Sequence, residues 1–596
     1  MSKFHFSPRP NRAGEIGWRE WGDAAFAEAK AADKPILLAI SAVWCHWCHV
    51  MDETSYSDDE VIRRINADYI PVRVDNDQRP DVNRRYNLGG WPTTAFLTPD
   101  GEILNGGTYI PPEGMRQYTA QIATVWHERK GELLDRLRDA TAHEAHTHEG
   151  HAGDPADLGW EVVDTIGGII RGQYDAEFGG FGRAPKFPQP HLLRSLIDEH
   201  RRTAAPEIAT MLHKTLAAMA GGGMYDPVEG GFFRYSTTRE WGIPHFEKML
   251  EDNAELLGVY ADAARSFPAA GYDRVVRDVL RWMGAVLWRE DAGAFSGSQD
   301  ADEHYYELDA AGRAGHEAPY VDRTLYTGWN ALAASAYFAS FAVLGDAAVE
   351  TRGHRTMQTI ATRLIVDREI RHFDAGAGAT LPDLLVDHAA VLGATIDAYE
   401  TGLHPGALPG ALSLATRLCA QLEDPAAGGF WDAPERHAPG RVSKREKPIE
   451  DGSAAAAALL RLAALTGEAR WRESALRALR GFAGEYRQWG QFAARYGTAV
   501  ARALTPPLVI SVVGAVDEPA ARALWDIAVA NDDPARSLHR LDPARDVAPL
   551  AALGYPPERI AAYVCVGTVC SAPLTSPADL ARELPRVRLR LRRPGE

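Results

Sequence analysis

Two cysteines three residues apart, Cys45 and Cys48 in Trp44-Cys45-His46-Trp47-Cys48-His49, are the side chains of this 596-residue sequence best suited to covalent chemistry. They follow the apolar run Pro35-Ile36-Leu37-Leu38-Ala39-Ile40, which places the pair where a buried strand gives way to a helix. A helix start gathers unpaired backbone N–H groups and the positive end of the peptide dipole, and both favour thiolate over thiol at Cys45. Thiolate is the form that attacks a disulfide, so Cys45 reads as a nucleophile and Cys48 as the thiol that resolves the mixed disulfide. His46, when protonated, would stabilise that thiolate and raise the reduction potential. Two other readings fit the same residues. Cys45, Cys48 and His49 at i, i+3 and i+4 share a helical face and can supply three ligands to a soft or borderline metal, although no fourth ligand is evident. Alternatively, the cysteines are an inert structural pair.

A second thiol pair, Cys565 and Cys570, lies in Tyr563-Val564-Cys565-Val566-Gly567-Thr568-Val569-Cys570. It reads either as an internal redox partner or as two small buried residues at a strand end. In mid-chain, the stretch Pro244-His245-Phe246-Glu247-Lys248-Met249-Leu250-Glu251-Asp252-Asn253 concentrates ionisable groups on a turn entering a helix, and Asp300, Asp302, Asn330 and His388 occupy comparable places. Converging on one pocket, paired carboxylates could divide acid and base roles in glycoside hydrolysis, while His245 and His388 could exchange a proton beside a sugar carbonyl. Helix capping by Asp300 or Asp302, and ion pairs through Glu247 and Lys248, explain the same residues without catalysis.

The elements that must position these groups fall into two styles. Helices are expected at 19–33, 45–54, 58–67 and 113–140, alternating with strands at 35–41, 70–74, 93–97 and 102–104, which makes an α/β unit over residues 1–140. Residues 141–157 are rich in His and Gly (His143, His146, His148, His151) and read as a linker. From 158 to 596 the pattern is mostly helical, punctuated by a repeated turn: Asp175-Ala-Glu-Phe-Gly-Gly-Phe181, Asp226-Pro-Val-Glu-Gly-Gly-Phe232 and Asp424-Pro-Ala-Ala-Gly-Gly-Phe430. Degenerate copies end at Phe295, Phe373 and Phe492, giving six, each followed by enough chain for two helices. Six helical hairpins, none able to hide its apolar face alone, would close an all-α (α/α)6 toroid with each phenylalanine plugging its mouth. The paired glycines suit a tight turn with positive φ. Residues 507–513 and 562–565 read as strands outside this scheme.

Composition narrows the class further. A hydrophobic content of 45% with 24% charged residues is ordinary for a folded globular chain. A net charge of -17 without a basic, aromatic-interleaved stripe argues against nucleic acid as a partner. Five cysteines are too few for a secreted disulfide framework, no run reaches the ~18 apolar residues of a membrane helix, and Met1-Ser2-Lys3-Phe4-His5-Phe6 is not a signal peptide. A cytoplasmic location, no membrane association and no cofactor are therefore expected.

Leu88-Gly89-Gly90-Trp91-Pro92-Thr93-Thr94 before a strand, with Asp100-Gly101-Glu102 after it, resembles the thioredoxin pattern in order and spacing. That resemblance implies a cis peptide at Pro92 beside the cysteines. It also marks two departures: the family's buried aspartate aligns with Ala39, and its Gly-Pro between the cysteines is His46-Trp47 here. The whole chain resembles a family of thioredoxin-domain-containing proteins that includes the spermatogenesis-associated protein of animals. The carrying motifs are Cys45-His-Trp-Cys-His-Val-Met51, Gly89-Gly-Trp-Pro92, Ala184-Pro-Lys-Phe-Pro188, Pro244-His-Phe-Glu-Lys-Met-Leu250, Asp300-Ala-Asp302 and Tyr563-Val-Cys565. The resemblance implies an N-terminal thioredoxin-like domain and a C-terminal six-hairpin toroid similar to glycosidases and N-acylglucosamine 2-epimerase. Two functions are expected from it: a thiol–disulfide oxidoreductase in which the toroid selects a protein or small ligand, or a sugar-active or sugar-binding protein with the first domain as a docking element.

Overall fold

The computed structural model describes residues 4–149 and 157–591. The chain divides into two compact units, the first holding the N-terminal part together with Asp300–Asp302 and Glu435–Arg445. In the first unit the run Ile36–Ser41 forms β1, buried at every position, as a strand covered on both faces must be. It pairs in parallel with β2 (Ile70–Asp75) and antiparallel with β3 (Thr93–Leu97), and β3 turns antiparallel into β4 (Ile103–Gly107), for a sheet order β2-β1-β3-β4. Helices α1 (Asp23–Ala32), α2 (His46–Glu53), α3 (Asp59–Asp68), α4 (Pro80–Tyr86) and α5 (Pro112–Glu149) complete it. α4, unanticipated in the sequence, opens on a proline at its first turn, where a missing N–H is tolerated. The segment Glu435–Arg445 is part of this unit's core: Val442 packs with Trp21 and Phe26, and Arg441 pairs with Glu102 at 2.9 Å. At their closest approach a Cβ on Gly101 (φ +89°) would sit 2.4 Å from the Gly440 Cα, so only glycine fits.

α5 continues to Glu149, past the expected end near 140, with a break in helical geometry at Arg129. The side chains of residues 140–149 and all of 150–156 lie outside the described residues, and with them His143, His146, His148 and His151.

The second unit is built on six inner helices, each packed on the next: α7 (Pro190–Thr203), α9 (Leu250–Ser266), α13 (Thr327–Leu344), α15 (Leu385–Glu400), α17 (Ile449–Thr466) and α19 (Ala494–Leu504), with α19 returning to α7 to close the ring. Outside them stand α8 (Pro206–Gly221), α10 (Tyr272–Trp282), α14 (Ala347–Thr359), α16 (Ala407–Leu422) and α18 (Ala469–Arg480). The sixth outer helix is α6 (Trp160–Gly172), which packs on α19, so the first and last helices of the ring form one hairpin. Two short helices, α11 (Glu303–Glu307) and α12 (Ala310–Arg313), occupy a connection. Inner helices are enclosed on all sides, which is why α9, α13 and α17 are rich in alanine and buried around most of their circumference. Among the described residues no helix is long and apolar enough to cross a membrane.

Each of the six repeated turns precedes an inner helix, and the three full copies share one construction. The aspartate's Oδ1 accepts two backbone N–H groups of the turn: from Glu177 and Phe178 at Asp175, from Val228 and Glu229 at Asp226, and from Ala426 and Ala427 at Asp424. Its Oδ2 takes a lysine, Lys186 at 2.8 Å, Lys248 at 2.6 Å and Lys447 at 2.7 Å, and the same ammonium donates to the carbonyl of the first glycine. All six glycines have positive φ, as the pattern requires. The phenylalanines do not plug the mouth: Phe181, Phe232, Phe295 and Phe430 are buried in the helix core, Phe232 stacked on Tyr260 of α9, while Phe492 of the weakest copy is 55% exposed.

The strands outside the hairpin scheme belong to one further sheet. Leu508–Val513 pairs in parallel with Arg536–Leu541 and antiparallel with Ala561–Val566, which turns back into Val569–Cys570. Helices α20 (Pro519–Ala530), α21 (Val547–Leu553) and α22 (Pro577–Leu591) alternate with them. Strand order, strand directions and helix placement repeat those of β2-β1-β3-β4 in the first unit.

Candidate functional site

Cys45 and Cys48 are joined in a disulfide, with Cα atoms 5.2 Å apart. Cys45 is the N-cap of α2, and its sulfur accepts the Cys48 backbone N–H at 3.2 Å. In the reduced state that N–H and the helix dipole would act on a Cys45 thiolate, the effect expected from its place in the sequence. Both residues are buried, 4% and 2% exposed, whereas Trp47 between them is 45% exposed and His46 half-buried. The Trp91–Pro92 peptide is cis, and Pro92 is buried at the start of β3, whose next residue Thr93 pairs with Ile40 at the end of β1. Trp44 and Trp91 meet edge to face at 5.8 Å, and the Trp44 indole N–H donates to Asp77 at 2.6 Å.

Charge around the pair is arranged by α2. Asp52, one turn beyond Cys48, is fully buried and takes a bidentate guanidinium from Arg73 at 2.8 and 2.9 Å. Arg73 is in register with Ala39, where the thioredoxin pattern has its buried acid. His49 turns its Nε2 to the Val43 carbonyl at 2.9 Å, and its Nδ1 lies 4.0 Å from Asp300. Burial, aided by His5, pushes the His49 imidazole down to about 4. A neutral ring must then carry its proton on Nε2 to donate to that carbonyl. Among the described residues no group of three or more His, Cys, Asp and Glu side chains is placed to hold a metal ion.

The second unit's candidates occupy distinct surroundings. Lys248 is fully buried in the turn construction with Asp226, which also takes Arg313 at 2.7 Å. Asn330 is buried too: its amide brackets Phe295, accepting that N–H at 2.8 Å and donating to its carbonyl at 3.1 Å. Asn253 does the same for Phe232, a repeat the sequence analysis missed although both asparagines stand in the first turn of an inner helix. His388 is buried against Asp383 at 3.0 Å. Burial would raise the Asp383 carboxyl, but His388 and Arg417 outweigh it and hold it well below the usual carboxylate range. Asp252 is half-buried in the first turn of α9, and Asp300 and Asp302, buried and exposed respectively, group with the first unit. His245 keeps 22% of its side chain exposed, stacks on Tyr235 at 4.5 Å, and has Nδ1 3.6 Å from the buried Glu247. Burial would raise the Glu247 carboxyl, but His245 and Arg234 hold it below the ordinary value.

Residues 9–144 match the family Thioredox_DsbH, described as "Protein of unknown function, DUF255". The first unit is a thioredoxin-like domain of this kind. Over nearly its whole length the chain is similar to human "Spermatogenesis-associated protein 20", 27% identical across 96% of this chain and 90% of that protein. An 84-residue stretch is 39% identical to "Thiol:disulfide interchange protein DsbD 1" of Pseudomonas aeruginosa, covering 13% of this chain and 14% of that one. Among solved structures, D-mannose isomerase is similar at 11% identity and a TM-score of 0.46, over 59% of this chain and 100% of its own. Cellobiose 2-epimerase from Bacillus thermoamylovorans B4167 is similar at 11% and 0.45, over 55% and 87%.

In the thioredoxin-like domain the sequence motif located the dithiol but missed Asp52, Arg73 and Asp77. The spacing of Asp52 four residues after Cys48 was the available signal, since i and i+4 share a helical face. Arg73 carried the complementary one, a charge inside an otherwise apolar strand.

Proposed function

We propose that the chain is a thiol–disulfide oxidoreductase acting through Cys45 and Cys48. The observation that carries this reading is the Cys45 sulfur at the N-cap of α2, already accepting a backbone N–H and bonded to the second sulfur. In the reducing direction the Cys45 thiolate attacks a substrate disulfide, the released substrate sulfur takes a proton, and Cys48 then displaces the substrate from Cys45, closing the disulfide. His46 and the exposed Trp47 stand between the two cysteines, Trp44 is held to Asp77, and the cis Trp91–Pro92 peptide precedes the strand paired with β1. The likeness to a protein named for thiol–disulfide interchange supports the same chemistry. Such a dithiol, in a chain with five cysteines, suits the cytoplasm, where thiols are kept reduced. The toroid's role in this reading is to bind the substrate protein or a small ligand. Trapping tests it: Cys48→Ser protein should accumulate a mixed disulfide on Cys45 with a peptide disulfide, seen as a mass adduct. An unmodified Cys45 under conditions that modify free cysteine would rule the mechanism out.

A second reading, a carbohydrate-active or sugar-binding toroid, is favoured by the partly exposed His245 with Glu247 buried behind it and Tyr235 stacked on its ring. A thermal-shift series with mono- and oligosaccharides, repeated on His245→Ala protein, should show stabilisation in the parent alone; no shift with any sugar removes this reading.

A further inference from the structure

The sheet formed by residues 508–570 repeats the thioredoxin-like topology but has moved its sulfur. After its first strand, where the thioredoxin-like domain carries Cys45 and Cys48, stand Gly514-Ala515-Val516-Asp517-Glu518. Its cysteines lie instead on the last hairpin, where Cys565 and Cys570 face each other in register and are joined in a disulfide. The fold gains little from that bond. The two strands already pair through their backbones, and a cross-link between residues five apart closes one of the shortest loops a disulfide can, where the entropic gain is least.

The two sulfurs are not equivalent. Cys570 is exposed, next to Val569 at 68% exposure, whereas Cys565 is only 7% exposed. Behind Cys565 the Tyr555 hydroxyl lies 3.5 Å from the sulfur. A disulfide sulfur has no hydrogen, so Tyr555 is the donor. Its ring is stacked on Tyr563 at 4.0 Å, which fixes the hydroxyl in place. Burial raises the phenol's pKa, so the donor keeps its proton. A thiolate arriving from solvent therefore meets Cys570, and the sulfur it displaces is the one with a hydrogen-bond donor waiting. Stabilising a leaving thiolate accelerates exchange.

We propose that Cys565–Cys570 is a second redox-active disulfide that accepts two electrons from a dithiol, with Cys570 attacked and Cys565 leaving. The donor's first thiolate bonds to the Cys570 sulfur as the Cys565–Cys570 bond breaks, and the electron pair passes to Cys565. The donor's second thiol then attacks its own mixed disulfide, releasing Cys570. The donor ends as a disulfide, and its two protons end on Cys565 and Cys570. This site goes beyond the Cys45–Cys48 reading and stands or falls without it.

The test uses the full-length oxidised chain under native conditions, with dithiothreitol as donor, acid quenching, differential alkylation and peptide mass mapping. Both cysteine pairs are read from the same digest, which separates this proposal from the Cys45–Cys48 reading. Reduction of Cys565–Cys570 is expected with the circular dichroism unchanged. With glutathione, a monothiol, the first adduct should fall on Cys570. Tyr555→Phe should slow reduction by about three- to tenfold and raise the pKa of the freed Cys565 thiol. A bond that opens only in denaturant, a first adduct on Cys565, or a Tyr555→Phe rate equal to the parent's would each overturn the proposal.

Discussion

Replacing His49 by glutamine should remove an acid-sensitive element next to the dithiol. The folded imidazole is pushed by burial from its ordinary 6.5 down to about 4, with His5 adding to the effect and Asp52 and Glu53 opposing it. Asp300 lies 4.0 Å from Nδ1. An unfolded chain takes up a proton near 6.5 that the folded chain refuses until about 4. The stability is therefore complete above 6.5 and is lost as pH falls toward 4. At about 1.4 kcal/mol per pH unit, the full loss below the folded value is about 3 kcal/mol. Glutamine can still donate to the Val43 carbonyl but cannot be charged, so His49→Gln protein should lack this loss. Other buried histidines in the second unit, His191 and His539, are also held low by burial and would blur a global unfolding curve. Hydrogen-exchange protection of the β1 and β3 amides, corrected for intrinsic rates, reads the thioredoxin-like domain alone. Parent and variant should agree above pH 6.5 and diverge below it, the parent losing protection more steeply. Parallel profiles from pH 4 to 8 would refute the assignment of a buried neutral imidazole.

Two further expectations follow from the ion pairs. Arg73→Met removes both guanidinium hydrogen bonds from the buried Asp52 carboxylate while keeping the one from the Ser7 N–H, and should cost about 3–5 kcal/mol of local stability by the same exchange measurement; a loss under about 1 kcal/mol would contradict a buried ion pair that holds this domain. In the repeated turns, Lys248→Met should cost about 2–3 kcal/mol because Asp226 keeps Arg313, while Lys447→Met, whose pair is partly exposed, should cost about 1 kcal/mol or less. Urea unfolding of the two variants checks the order, and equal losses would contradict it.

The legible parts of the sequence were those with a period or a motif. Alternation of apolar runs and helical stretches located β1 to β4 within a residue or two, except that β4 runs on to Gly107. The Asp-x-x-x-Gly-Gly-Phe repeat marked three turns in full because each of those uses two glycines of positive φ and an aspartate to hold its N–H groups, while the other three copies kept only part of the pattern. What the repeat could not show was its third participant: Lys186, Lys248 and Lys447 lie 11, 22 and 23 residues from their aspartates, a separation too variable to read as a pattern. Lys248 and Asn330 looked chemical in sequence because fold-holding groups and reacting groups use the same residue types. The ring's closure through α6 and α19 was hidden for a related reason, since the two helices of that hairpin stand over 300 residues apart and only tertiary packing pairs them. Two strands of the last sheet, 507–513 and 562–565, were legible, but their assembly with Arg536–Leu541 and Val569–Cys570 into one sheet was not, because pairing between strands is set by tertiary packing rather than by a local pattern.

Activation of Cys45 by its N-cap position is read in the pH dependence of its alkylation. With the chain reduced by dithiothreitol and freed of reductant, iodoacetamide rates at Cys45 are read by peptide mass mapping from pH 4 to 10. The rate should reach its plateau with an apparent pKa at about 7 or lower, against about 8.5 for an ordinary cysteine. A profile that rises only through 8.5 or above, matching the unfolded chain, would contradict it.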